Sequence, residues 1–204
     1  MNASDVARDG FMEEEKHEER REEYAYVLDF LLTGKSFSNR PEPVAQLMGD
    51  TWFTLLEAEP KPGVVLKTAE QVYIGRDERD KISIIKARIT FDKLTETAKR
   101  ELPGMVAMVI KNNEQRFVDV FNNAGPMSIR QHTLELLPNV GKKHLKAILA
   151  AREEKRFESF ADIATRVPLL QDPVKLLSDR VVMELSGNER FYLFVKPYVK
   201  KLHY

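Results

Sequence analysis

"LLPNVGKKHLKAIL", Leu136–Leu149, sets a proline, a glycine and two lysines between two apolar runs. The spacing predicts two helices joined by a sharp break, with positive charge directly after it. A helix N-terminus leaves backbone N–H groups unpaired and carries partial positive charge. A phosphate placed there satisfies both. Gly141 is expected to give the tight bend and to leave no side chain in the way of an anion. Lys142, Lys143 and Lys146 add mobile charge, and Asn139 sits in the bend itself. Leu137 and Val140 are expected to point inward, with Leu145, Ile148 and Leu149 packing the second helix on the first. An anion held this way is a backbone phosphate, so binding is predicted to be sequence-independent and salt-sensitive. The competing reading is a plain helix–helix connection whose lysines are solvated.

Downstream the helical pattern continues. Ser128 is a candidate cap for "IRQHTLELL", and "KKHLKAILAAREEK" forms the helix after the break. Ser159 and Asp162 have the spacing of an N-cap pair, and Asp172-Pro173 opens another helix that Gly187 closes. Arg152, Lys155 and Arg156 are diluted by glutamates and read as a solvated helix end. The final "RFYLFVKPYVKKLHY" reads as a strand and a basic tail. Lys196, Lys200 and Lys201, interleaved with Tyr198 and Tyr204, suit a phosphate-tracking tail there.

Upstream the period is different. Residues 1–22 are acidic with little apolar surface and predict a solvated tail. "YAYVLDFLL", "PVAQLMG" and "TWFTLLEAEP" around Gly49-Asp50, "KPGVVL", "EQVYIG" and "KISIIKARI" predict five or six short strands, hence a small barrel or sandwich. Tyr73, followed by Arg76 and Arg79, is the best stacking candidate on that body; its alternative is a core tyrosine beside a charged loop. "DKLTETAKREL" predicts a helix capped by Asp92 or Thr95 and interrupted at Pro103-Gly104, with "MVAMVIKNN" resuming. "RFVDVF" predicts one more strand or a short buried run, and "NNAGP" at Asn122–Pro126 a domain boundary.

"LLPNVGKKHLKAIL" resembles a helix-hairpin-helix motif, which binds DNA or RNA backbone without sequence preference. "AAREEKRFESFADIATRV" is similar to the segment that joins two such motifs in tandem. Asn139 stands where the motif usually has its first glycine, and asparagine tolerates the left-handed backbone better than most residues. The second hairpin, around "RVPLLQDPVK", lacks a glycine and is expected to support the fold with a weak phosphate site or none. "YAYVLDFLLTGK", "FTLLEAEPKPG", "QVYIG" and "RFVDVFNNAGPMSIRQHTLELLPNVGKK" resemble an archaeal family catalogued as domain of unknown function 655, over about residues 23–196. That resemblance implies an α+β protein: an OB-like β-barrel followed by an all-helical tandem helix-hairpin-helix domain, with a nucleic-acid-binding role. The expected boundaries are an acidic tail at 1–22, the barrel with a helical insertion at 23–125, the tandem domain at 126–188 and the aromatic, basic end at 189–204. RNA is favoured over DNA on the resemblance alone, with a ribosome- or RNA-processing-related protein as a further partner.

The bulk numbers narrow the classes. The 32 Lys+Arg balance the 32 Asp+Glu, so a nucleic-acid binder of this composition must cluster its basic residues on one face. The absence of cysteine excludes disulfides and thiolate-bound zinc. The four histidines show no paired metal-ligand spacing, so no metal or cofactor is expected, and His132 reads as a packing or capping residue. The start lacks the basic and apolar regions of a signal peptide, and no apolar run nears the ~18 residues of a membrane helix. A cytoplasmic protein away from membranes is expected. Two rival functions remain: a protein-interaction module using the same hairpin, and a DNA glycosylase-like repair enzyme with Asp162 as its acid. No second catalytic group accompanies Asp162, so no enzyme is expected.

Overall fold

A computed structural model describes residues 21–34, 42–170, 172–187 and 189–197. The chain is mixed α+β and divides into two compact units, Met1–Arg88 and Ile89–Tyr204.

The first unit is an open antiparallel sheet of β1 (Tyr24–Leu31), β2 (Val44–Gly49), β3 (Leu55–Pro60), β4 (Gln71–Tyr73) and β5 (Ile82–Arg88), in the order β4-β1-β2-β3-β5. Alternation sets its inner face: Ala25 and Val27 of β1 join Ala45, Leu47, Ala58 and Val72 in one apolar cluster. The β1–β2 register shifts between Val27 and Asp29, and the β3–β5 register between Glu57 and Ala58. Such bulges bend strands, and the sheet curls into a half-barrel. "KPGVVL" yields its turn but no strand, because Val64–Leu66 pair with no neighbour in the ladder.

Trp52 and Phe53, expected on a strand, lie in the β2–β3 turn, where Phe53 is fully buried with φ 54°. An aromatic residue in the left-handed region is strained, and a carboxylate holds the turn in place. Glu22 accepts the backbone N–H groups of Thr51 at 2.9 Å, Trp52 at 3.0 Å and Thr54 at 3.0 Å. The sequence predicts a solvated tail through residue 22, yet Glu22 is buried, because this turn offers it three donors. Burial pushes its carboxyl above the ordinary range, against the pull of those hydrogen bonds.

The second unit holds α1 (Glu96–Asn112), α2 (Glu114–Asn123), α3 (Lys142–Glu154), α4 (Phe160–Arg166) and α5 (Pro173–Leu185), with three short 3-10 turns. Thr95 caps α1, its hydroxyl accepting the Ala98 N–H. Pro103 does not interrupt α1. Ala98, Leu102, Met105, Val106, Val109 and Ile110 keep one buried stripe through it, and that burial outweighs the roughly 3 kcal/mol an internal proline costs. "RFVDVF" is helical too, since Phe117, Val118 and Phe121 are buried on one face of α2.

The two compact units divide at Arg88/Ile89, and residues 122–126 lie within the second. α1 packs on α5, where the Ser178 hydroxyl donates to the Pro103 carbonyl. Asn122, expected in a linker, clips the chain instead: its amide donates to the Phe157 carbonyl and its side-chain carbonyl accepts the Phe157 N–H. Arg152, expected to be solvated, donates to the Phe121 and Ala124 carbonyls at the end of α2, which lack helical partners.

The expected C-terminal strand is absent among residues 189–197. The N–H groups of Leu193, Phe194 and Val195 donate to the buried Glu184 carboxylate instead of to a strand. Arg180 pairs with Glu184 at 2.9 Å and donates to the Leu136 carbonyl, so α5 anchors both this segment and the approach to the hairpin.

Candidate nucleic-acid interface

The hairpin before α3 is built differently from its sequence expectation. "IRQHTLELL" forms only one 3-10 turn, Thr133–Leu136, and Ser128 does not cap it. His132 does: its Nδ1 accepts the Leu134 N–H at 3.2 Å, and the Glu135 carboxylate accepts the His132 N–H at 2.9 Å. Ser128 belongs to a tight Met127–Gln131 turn, where its hydroxyl accepts the Arg130 N–H. Leu137 and Val140 are buried, as expected, as are Leu145 and Ile148.

The bend itself falls at Asn139, whose φ is 61°, not at Gly141. Gly141 is the N-cap of α3 with extended backbone (φ −95°, ψ −175°), and no side chain caps the helix. Space beside its Cα is open. The N–H groups of Gly141, Lys142 and Lys143 have no acceptor among the described residues, and all three residues are exposed. No acid lies in the first turn of α3. Lys143 and Lys146 are exposed, with no ion pair among the described residues. Lys142 is committed elsewhere: its ammonium binds the Glu135 carboxylate and the Arg130 carbonyl.

The second hairpin offers an anion less. The Asp172 carboxylate caps α5 by accepting the Lys175 N–H at 3.0 Å, which fills a donor and adds negative charge. A cleft of about 340 Å³ separates the hairpins, lined by Asn139, Val140 and His144 on one side and Leu169, Asp172 and Lys175 on the other. Asp162 starts α4: Ser159 caps the helix through the Asp162 N–H, and the Asp162 carboxylate accepts the Glu158 N–H and binds Arg166. The Glu158 N–H, ahead of Arg166, holds that carboxyl below its ordinary range.

On the half-barrel, Tyr73, Arg76 and Arg79 line one cleft of about 720 Å³ together with Arg21, Tyr24 and Asp77. Tyr73 meets Tyr24 edge-on at 5.3 Å, because β1 and β4 pair these two positions. The Tyr73 hydroxyl accepts the Asp77 N–H at 3.2 Å, and Arg79 donates to the Gly75 carbonyl at 3.0 Å. Tyr24, one of the strand aromatics that the sequence ranks behind Tyr73, is half exposed, and its cross-strand register with Tyr73 brings it to the same cleft. Lys196 is half-buried, and Lys200 and Lys201 lie outside the described residues.

A family model described as a protein of unknown function, DUF655, matches residues 21–196. The chain belongs to the DUF655 family. One relative, the uncharacterised protein MJ0038 of Methanocaldococcus jannaschii, is 43% identical over 178 residues, which is 86% of this chain and 80% of that protein. The crystal structure of Af1531 from Archaeoglobus fulgidus, also assigned to DUF655, aligns with a TM-score of 0.81 at 43% identity. That alignment covers 86% of this chain and all of the Af1531 chain. Among the described residues of this DUF655 protein, no helix is long and apolar enough to cross a membrane.

Proposed function

We propose that this DUF655 protein is a cytoplasmic nucleic-acid-binding protein that grips the phosphate backbone without reading sequence, RNA being favoured over DNA on the family resemblance. The grip is the helix-hairpin-helix-like turn at Asn139–Lys143, and the OB-like half-barrel adds a lesser contact through Tyr73, Arg76 and Arg79. The observation that carries this reading is the uncapped N-terminus of α3: free, exposed N–H groups at Gly141, Lys142 and Lys143, with open space at Gly141. A phosphate there completes the amides and meets the helix dipole. Lys143 and Lys146 supply the counterion-releasing charge.

The test is a salt-dependent titration of the full chain against unrelated RNA and DNA oligonucleotides. Lys143→Glu with Lys146→Glu should weaken every sequence alike and flatten the salt slope by about 1.4–1.8. Unchanged affinity and slope would remove the hairpin from the reading.

A further inference from the structure

The cleft of about 720 Å³ on the half-barrel has a fixed aromatic floor. Tyr73 is pinned there: its hydroxyl accepts the Asp77 N–H and donates to the Asp77 carboxylate at 3.3 Å. Its ring lies so close over Gly75 that a Cβ at that position would fall 2.2 Å from the hydroxyl oxygen. Tyr24 meets it edge-on, lines the same cleft and is 44% exposed. The walls are fixed as well. Through its bonds to the β2–β3 turn, Glu22 ties its chain neighbours Arg21 and Tyr24 to Asp50 and Thr51 across from them. Gly49 makes that tie possible, since a Cβ there would stand 2.0 Å from the Glu22 side chain. The hydrogen-bonding capacity left over belongs mainly to donors. Of the four acids at the cleft, Glu22 is spent on the turn, Asp50 accepts the Thr51 hydroxyl and the Gln71 amide, and Asp77 accepts the Tyr73 hydroxyl, which leaves Glu23. Arg79 is oriented by its Nε bond to the Gly75 carbonyl, and among the described residues no ion pair takes up its guanidinium or that of Arg21.

We propose that this cleft is a single-nucleotide site, in which one unpaired base stacks on Tyr24 and its phosphate meets Arg79 and Arg21. The proposal rests on the lesser contact assigned above to Tyr73, Arg76 and Arg79, and deepens it by naming the ligand and the residue that takes the base. A preformed concavity that joins an exposed aromatic face to guanidinium donors suits a flat ring attached to an anion. Stacking needs a free base face, so a paired strand is excluded from the cleft, and every base has such a face, so no base is preferred. A free nucleoside monophosphate and an unpaired nucleotide of a longer strand offer the same chemistry.

The experiment titrates the full chain into 2-aminopurine riboside monophosphate and into a short single strand carrying one 2-aminopurine. Stacking should quench the probe's fluorescence. Tyr24→Leu, which keeps apolar bulk without a ring, should abolish the quenching and weaken binding about tenfold, while Tyr24→Phe should retain both. Arg79→Gln should weaken the monophosphate severalfold and leave the riboside without phosphate unaffected. Equal capture of the two probes assigns the site to free nucleotides, and tighter capture of the strand assigns it to unpaired nucleic acid. Quenching that Tyr24→Leu leaves intact, or none with either probe, overturns the nucleotide site. Tyr24-dependent binding of tetramethylammonium without quenching of either probe overturns it in favour of a cation site. Duplex binding that falls with Lys143→Glu and Lys146→Glu leaves the hairpin reading standing in those cases. Tyr24-dependent quenching beside an ineffective hairpin variant removes the hairpin and keeps the nucleotide site.

Discussion

The Lys142 ammonium lies 2.8 Å from the Glu135 carboxylate. The same carboxylate accepts the His132 N–H, so one acid joins the cap before the hairpin to the helix after it. Lys142 first, and the His132 N–H next, hold the Glu135 carboxyl below its ordinary range. A cation that sequence spacing assigns to phosphate is thereby neutralised within the fold.

Glu135→Gln should release it. Glutamine still accepts the His132 N–H, so the turn survives, while Lys142 becomes free to meet a phosphate. Affinity for any oligonucleotide should rise, and the salt slope should steepen by about 0.7–0.9, the contribution of one added phosphate contact. A slope equal to that of the wild type means that Lys142 does not reach the ligand.

Gly141→Ala separates folding from binding. Gly141 needs neither a left-handed backbone nor close packing, since its φ is −95° and, its chain neighbours apart, the place where a methyl group would stand is open space. Alanine at an N-cap costs no more than about 1 kcal/mol relative to glycine. The melting temperature should move little, whereas nucleic-acid affinity should fall severalfold as the methyl holds the phosphate off. Loss of both together would make the glycine structural.

His132 gives the hairpin a pH dependence. Its Nδ1 must be unprotonated to accept the Leu134 N–H, and burial, with Arg152 beside it, pulls its pKa below the ordinary 6.5. The folded protein therefore binds fewer protons than the unfolded chain. This stabilisation is complete above about pH 6.5 and is lost as pH falls from there towards the lower folded pKa. Thermal melts from pH 7.5 to 5 should show that decline, and His132→Asn, which keeps an acceptor at the cap, should lack it. Parallel curves for the two proteins would exclude His132 as the origin.

The Arg180–Glu184 pair is the second unit's most deeply buried ionic contact among the described residues. Both side chains are almost fully buried, and Glu184 also accepts three backbone N–H groups. Glu184→Gln should destabilise the fold by about 1–3 kcal/mol in urea unfolding, because a neutral amide with one acceptor oxygen replaces the carboxylate that served three N–H groups and Arg180, while Arg180 keeps the Glu189 carboxylate at 2.8 Å. Lys175→Ala, at the exposed pair with Asp179, is the control and should change stability by less than about 1 kcal/mol.

The strands at Tyr24–Leu31, Val44–Gly49 and Leu55–Pro60 and the helix after Gly141 are legible in the sequence, because each carries its own period and its own breaks. So are the caps at Thr95, Ser159 and Asp172, whose side chains act within three residues. "RFVDVF" misleads because six residues fit a buried strand or a helix equally well. Pro103 misleads because its local cost is plain, while the stripe that offsets it is shared with α5. In the candidate site, Asn139, Gly141 and Lys143 can be picked out in advance, but the engagement of Lys142 by Glu135 cannot.

Local chemistry thus settles, from sequence alone, where most helices start and which residues carry charge beside the hairpin. Those properties depend on neighbours a few positions away. Tertiary structure alone decides where the two units divide, that Glu22 is buried under the β2–β3 turn, and which cations are already engaged by the protein's own acceptors. A side chain's partner across space is set by packing of distant segments, and no short-range pattern encodes that distance.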